Sequence, residues 1–239
     1  MALIDDLALD VNITLNQEWN IRGGIVVPRT KNVTLTGGAV RLNATMLYAD
    51  LADSTELAMQ QDRRVSAKVF KSFLRCTSRI IRARGGSIRS FDGDRVMGVF
   101  LGRSKNFSAV KCAFNINYAF LNIIKPKLEA KYSSLSRGTF KLAQCVGIDT
   151  SKVLVVRSGI QDNNDLVWVG RAPNVAAKLS GIRNSPYHTY ITKEVFDSLD
   201  EGFKYSKTKN KKKLMWEPRA WKEVSGVNLV YRSNWSWRP

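Results

Sequence analysis

Two aspartates, Asp50 and Asp94, carry the chemistry that the chain makes easiest to read. Asp50 closes a β-prone apolar run at residues 45–51. Asp94 follows Asp92-Gly93, a dipeptide that turns one strand back on the next. If these segments pair, two carboxylates meet across neighbouring strands and repel each other. A pair of divalent cations removes that repulsion and gives the site a use. About 3.5–4 Å apart, they activate an attacking oxygen and neutralise a leaving phosphate. The carboxylates of Asp50 and Asp94, with the backbone oxygen of Leu51, suit hard ions such as manganese or magnesium. Either aspartate alone reads as a strand-end or turn residue; only a topology that joins them makes a site.

The elements needed to join them follow in order. Asp53, Ser54 and Thr55 offer N-caps after the first strand. Val65, Val69, Phe70, Phe73, Ile80 and Ile81 lay one apolar stripe along a helix that Gly85-Gly86 ends. Residues 87–91 and 95–100 form a hairpin. A second helix over about 106–124 stops before Pro126. Residues 140–148, 153–156 and 166–169 read as strands, Pro173 opens a helix to about Ile182, and a short helix lies near 193–199. Strand, helix, hairpin, helix, strands is the order of a ferredoxin-like α/β sandwich, an α+β sandwich with additions. In it the first strand and the hairpin are neighbours, so Asp50 can face Asp94. Residues 1–40 contain two Gly-Gly pairs and two short β-like runs, 25–27 and 33–35. They are expected to form an N-terminal extension to a catalytic domain over 41–239.

The bulk numbers are compatible with this plan. The 239 residues fit one large domain or a domain plus extension, and 44% hydrophobic residues supply a core. No apolar run reaches the ~18 residues of a membrane span. The first ten residues are acidic with no basic segment, so no secretory leader is expected and the cytoplasm is the expected compartment. Cys76, Cys112 and Cys145 form no CxxC pair, and His188 is the one histidine; a structural zinc site is not expected. The thiols are expected to be buried and inert, and His188 to be a core residue. The net charge of +18 asks for an anionic partner: nucleic acid, a membrane surface or a polyphosphate. The run KTKNKKK at 207–213 reads as a solvated loop. Tryptophans at 216, 221, 235 and 237 lie near enough to keep a nucleic-acid reading open.

Four segments carry a resemblance. YADLADST, 48–55, resembles the metal-binding strand FxDIxxFT of the class III nucleotidyl cyclases. GGSIRSFDGDRVMGVF, 85–100, resembles their GGxxxKxxGDxxMxxF hairpin. VGIDTSKVLVV, 146–156, is similar to their VGIHTGxVxxG strand pair, and VGRAPNVAAKLS, 169–180, to their GxxVNxAxRL helix. All four occur in the family's order, over about residues 44–200. The resemblance implies a head-to-tail homodimer with active sites between protomers. The two aspartates come from one chain, and Asn174 and Lys178 come from the other. The Asn orients the ribose, the cation stabilises charge on the α-phosphate, and Lys152 stands at a basic phosphate-binding position. Arg89, Arg95 and cations among 209–213 are further candidates for the triphosphate. The i, i+4 spacing of Asn174 and Lys178 puts both on one helix face, as a shared task requires.

Four departures bear on the substrate. Lys178 replaces the family arginine and brings charge without the bidentate fork. Ser90 stands where adenylate cyclases carry an adenine-reading lysine. Val167 stands where they carry a purine-bonding aspartate or threonine. Tyr48 replaces a phenylalanine two residues before Asp50, on the same strand face. A purine edge would lose both polar partners here. The combination resembles the pyrimidine cyclases of Pycsar antiphage systems, whose cyclic UMP or cyclic CMP activates a separate effector. The expected reaction is therefore conversion of UTP to cyclic UMP, with CTP second and a purine triphosphate third. A non-catalytic nucleic-acid-binding protein is the alternative of another class.

Overall fold

The computed structural model describes residues 2–137, 140–208 and 211–239. In chain order the elements are α1 (Leu3–Leu15), β1 (Asn20–Gly23), β2 (Gly38–Leu51), α2 (Ser54–Gln60), α3 (Arg63–Ala83), β3 (Ser87–Asp92), β4 (Arg95–Phe100) and α4 (Lys105–Ala119). A π-helical turn (Phe120–Ile124) leads into α5 (Lys125–Lys131) and α6 (Ser133–Arg137). There follow β5 (Gln144–Ile160), β6 (Asn163–Val169), α7 (Arg171–Ser180), β7 (Thr189–Thr192), α8 (Lys193–Asp197), α9 (Glu201–Lys204), β8 (Tyr205–Thr208), β9 (Lys211–Leu214), β10 (Glu217–Ala220) and β11 (Leu229–Ser233). The main sheet runs β10-β11-β7-β5-β2-β4-β3, with β1 beside β2 and β6 beside β5. The chain forms two compact units, one from residues up to 42 with 152–170, the other from 43–151 with 171–239.

In the larger unit, alternation along the strands sorts side chains between two layers. Leu47, Ala49 and Leu51 of β2, Val96 and Phe100 of β4, Val146 and Ile148 of β5 and Ile191 of β7 join one core. Val69, Phe73 and Ile81 of α3 and Phe114 of α4 complete it. The neighbouring positions Cys145 and Tyr190 face the other way, against Val175 and Leu179 of α7. Helices therefore cover both faces of the sheet. Burying one such Phe or Leu stabilises the fold by about 1.5–3 kcal/mol.

Helix α3 forms because its apolar residues recur on one face and because Asp62 caps it, accepting the Arg64 N–H at 2.8 Å. Gly85, at φ +78°, turns the chain out of it. The one helix expected after residues 53–55 is two. Gln61 adopts an extended conformation that ends α2, and Asp62 starts α3. The helix expected to stop before Pro126 continues through it. The Lys125 N–H reaches back to the Phe120 carbonyl, five residues away. That wider turn leaves Pro126 in the first turn of α5, where a missing N–H is tolerated. The strand expected at 140–148 begins at Gln144 and absorbs 153–156 into one strand of 17 residues. Trp216 and Trp221 are buried, and Trp235 and Trp237 pack against the core. These tryptophans serve packing.

In the smaller unit, β1 runs parallel to β2, pairing Asn20 with Gly38 through Gly23 with Arg41. β5 and β6 form a hairpin. Thr30 donates to Asp165 at 3.1 Å, and Arg157 donates to Asn164 at 2.7 Å. The apolar runs 25–27 and 33–35 are not strands. The strand lies upstream at Asn20–Gly23, because pairing rather than local propensity decides where one forms. Helix α1 lies within the expected N-terminal extension, and none of its residues is buried.

Candidate active site

Asp50 ends β2 on the face that carries α7, because its neighbours Ala49 and Leu51 are committed to the opposite core. Tyr48 shares that face. Across β4, Met97 is the direct partner of Tyr48 on one side and of Ser90 in β3 on the other. Tyr48, Met97 and Ser90 thus form a row over three strands. The Tyr48 hydroxyl donates to the Met97 sulfur at 3.0 Å, a weak acceptor that it can exchange for a better one. Burial raises the Tyr48 pKa, so the hydroxyl keeps its proton.

Asp50 is 4% exposed. Its Oδ2 accepts from Arg95 at 3.0 Å and from Arg183 at 3.1 Å, and Arg183 also donates to the Leu51 carbonyl at 3.1 Å. Asp94 stands just beyond the Asp92-Gly93 turn, where Gly93 takes φ +58°. One Asp94 oxygen, Oδ2, is buried and meets no donor among the described residues. Burial, and then the Asp50 charge, raise the Asp94 pKa; hydrogen bonds from its own backbone and from the Ser54 hydroxyl oppose this. A buried, unpartnered carboxylate oxygen close enough to feel a second carboxylate is a demand for a cation. Among the described residues no three His, Cys, Asp or Glu side chains gather as ligands. A metal here would take Asp50, Asp94 and the Leu51 carbonyl, an all-oxygen set that fits a hard ion.

Helix α7 lies tightly on β5. A Cβ at Gly147 would come within 2.2 Å of the Ala176 carbonyl oxygen, so only glycine permits the approach. An ion pair to a fully buried carboxylate fixes the start of this helix. Arg171 donates to both oxygens of Asp149, at 3.0 and 3.1 Å, and Thr192 donates to Asp149 at 2.6 Å. Burial raises the Asp149 pKa against these hydrogen bonds. The Ala172 N–H is taken by the Ser151 hydroxyl at 3.0 Å. With α7 held there, Asn174 and Lys178 stand exposed. Lys178 lines an open cavity of about 580 Å³ together with Arg95, Ile182, Arg183 and Glu223.

Lys152 on β5 and Val167 on β6 are exposed residues of the smaller unit, Val167 paired with Val156. Arg89 is partly buried, with its Nε unpartnered among the described residues. Lys209 lies outside the described residues. Cys112 and Cys145 are buried free thiols, and burial pushes Cys145 up to about 12. His188 faces the Gln144 carbonyl at 3.1 Å, and burial lowers its pKa, consistent with a neutral core residue. Two features escape sequence reasoning. Arg183 reaches a carboxylate 133 positions away. The Asp149–Arg171 pair forms only once α7 docks on the sheet.

No protein-family model matches the chain. It is 45% identical over 238 residues to the uridylate cyclase of Rhodovulum sp. (strain MB263), covering 100% of this chain and 98% of that relative. It is 41% identical over 239 residues to the uridylate cyclase of Burkholderia cepacia, with 99% of each covered. To the uridylate cyclase of Xanthomonas perforans it is 39% identical over 239 residues, covering 100% and 99%. Among solved structures, the adenylyl cyclase CyaB from P. aeruginosa superposes with a TM-score of 0.67 at 19% identity, covering 82% of this chain and 95% of that one. The guanylyl cyclase Cya2 gives 0.66 at 18% identity, covering 83% and 95%. The fold is that of the class III nucleotidyl cyclases, and at such identity over the full length the chain belongs to the uridylate cyclase family.

Proposed function

We propose that the chain converts UTP to 3′,5′-cyclic UMP and pyrophosphate at Asp50 and Asp94. The ribose 3′-oxygen attacks the α-phosphorus, the bond to the bridging oxygen of the β-phosphate breaks, and the hydroxyl proton passes to water. The observation that carries this reading is the unpartnered, buried Oδ2 of Asp94 beside Asp50. Asp50, Asp94 and the Leu51 carbonyl would hold manganese or magnesium, which would supply positive charge to the attacking 3′-oxygen and to the leaving pyrophosphate. Asn174 orients the ribose, and Lys178 balances charge on the transferring phosphate. Both are supplied by the partner of a head-to-tail homodimer, which agrees with their exposure on α7. Lys152 meets the polyphosphate. Tyr48 and Ser90, in one row with Met97, bound the base, and neither presents the charged reader of a purine site; Val167 offers no such reader either. The relatives' names favour uridine over cytidine.

In this reading residues 41–239 form the catalytic domain, residues 1–40 are an extension, and the cyclic nucleotide is an intracellular signal to a separate antiphage effector. Incubation with UTP and Mn²⁺ should yield cyclic UMP and pyrophosphate in equal amounts, and neither Asp50→Ala nor Asp94→Ala should do so. Equal turnover by either variant would remove the carboxylates from the chemistry.

A further inference from the structure

Cyclisation leaves most of the +18 charge without a task, and much of that charge is ordered. Helix α3 contains no acidic residue. Arg64, Lys68, Lys71, Arg75, Arg79 and Arg82 follow one another at steps of three or four, so they share one face. All six are exposed. Only Arg64 has a carboxylate partner among the described residues, the neighbouring Asp62. The stripe is about 27 Å long. At the ~3.4 Å per phosphate of one stacked strand, it faces roughly eight phosphates.

The C-terminal half of the stripe opens onto a cavity of about 800 Å³ between α3 and β3, lined by Arg75, Ser78, Arg79, Arg82, Ile88 and Phe91. Phe91 is 56% exposed, although it is aromatic and sits in a strand. The Ser78 hydroxyl at this cavity has no hydrogen-bond partner among the described residues. An exposed ring beside three guanidinium groups that have no carboxylate partner among the described residues can stack a base while the arginines hold its phosphates. A duplex keeps its bases stacked on each other and gives the ring no role. A membrane-surface helix needs an apolar face to insert, and α3 has placed Val69, Phe73 and Ile81 in the core.

We infer that the α3 stripe and Phe91 form a binding site for single-stranded nucleic acid, separate from the carboxylate pair. RNA and single-stranded DNA share the chemistry that the site reads.

Fluorescence anisotropy with labelled single strands of about 16 nucleotides, RNA and DNA separately, tests it over roughly 50 to 200 mM salt. A matching duplex and phosphatidylserine vesicles are the competitors. Single strands should bind more tightly than the duplex or the vesicles, and the tighter of the RNA and DNA arms identifies the source. The combined variant Arg75→Ala, Arg79→Ala, Arg82→Ala should flatten the log–log salt slope by about 2. Phe91→Ala should weaken binding roughly 5- to 150-fold with the slope unchanged. All substituted side chains are exposed or partly so, and unaltered cyclic-nucleotide production verifies that the variants fold. Duplex or vesicles held as tightly as single strands would overturn the inference. So would an unchanged slope in the triple variant, or full affinity after Phe91→Ala.

Discussion

Arg183 donates one amino group to Asp50 and to the Leu51 carbonyl, both at 3.1 Å. Those are two of the three groups proposed to hold divalent cations, so guanidinium and metal compete for the same oxygens. A charged hydrogen bond contributes about 1.5–3 kcal/mol when shielded, and less here because the Arg183 side chain is 31% exposed. Arg183→Ala should therefore bind Mn²⁺ without nucleotide about 5- to 10-fold more tightly, as read by calorimetric titration. Unchanged or weaker binding would show that the arginine supports the metal site and does not compete for it.

Asp94→Asn separates stability from activity. The substitution keeps the shape and removes a charge that burial and Asp50 both disfavour. With chelator present, the variant should be about 1 kcal/mol more stable than the parent near neutral pH. The sign follows from the raised pKa. The folded protein holds the Asp94 proton more tightly than the unfolded chain, so ionisation destabilises it as pH rises through the folded pKa. The advantage of Asn should accordingly fade on acidification towards the ordinary carboxylate range. Cyclase turnover should fall by about 10²-fold or more. A destabilised variant that retains turnover would assign Asp94 a structural role.

Arg171→Ala tests how α7 is positioned. The fully buried Asp149 would lose its bidentate partner and keep only Thr192 and its backbone contact. Breaking such a pair costs about 3–5 kcal/mol when both members are buried. Since the Arg171 side chain is 32% exposed, about 2–3 kcal/mol is expected. Burial already holds the folded pKa of Asp149 above its unfolded value. Without Arg171 it rises further, so the deficit should be smallest in acid and grow as pH rises through that folded pKa. Denaturant melts at several pH values measure this; a deficit that stays flat over that range, or grows on acidification, would mean that Arg171 does not stabilise the Asp149 carboxylate.

Asn174 and Lys178 are proposed to act on the partner's carboxylates. Asp94→Ala and Lys178→Ala, each nearly inactive alone, should recover about a quarter of parental activity when mixed, since half the dimers are mixed and each of those holds one intact site. No recovery after proven subunit exchange would place all four residues in one chain's site.

What the sequence could reveal depended on range. The Asp92-Gly93 turn and the apolar stripe of α3 are local and were legible, as was the strand-helix-hairpin order that places Asp50 near the hairpin. Pro126 misled because the chain meets it through a π-helical turn, Phe120–Ile124, which no local rule anticipates. Helix α1 buries no face, so its periodicity gave no core signal. Arg183 and Asp149 pair with groups supplied by other elements, and residue type alone could not choose their partners.

Competition between substrates tests most directly whether Asp50 and Asp94 serve a pyrimidine triphosphate. The purified protein with Mn²⁺ and equal concentrations of ATP, GTP, CTP and UTP should form cyclic UMP as the dominant product, and Asp94→Ala should form none. Cyclic AMP or cyclic GMP as the main product, or cyclic UMP from the Asp94→Ala protein, would contradict it.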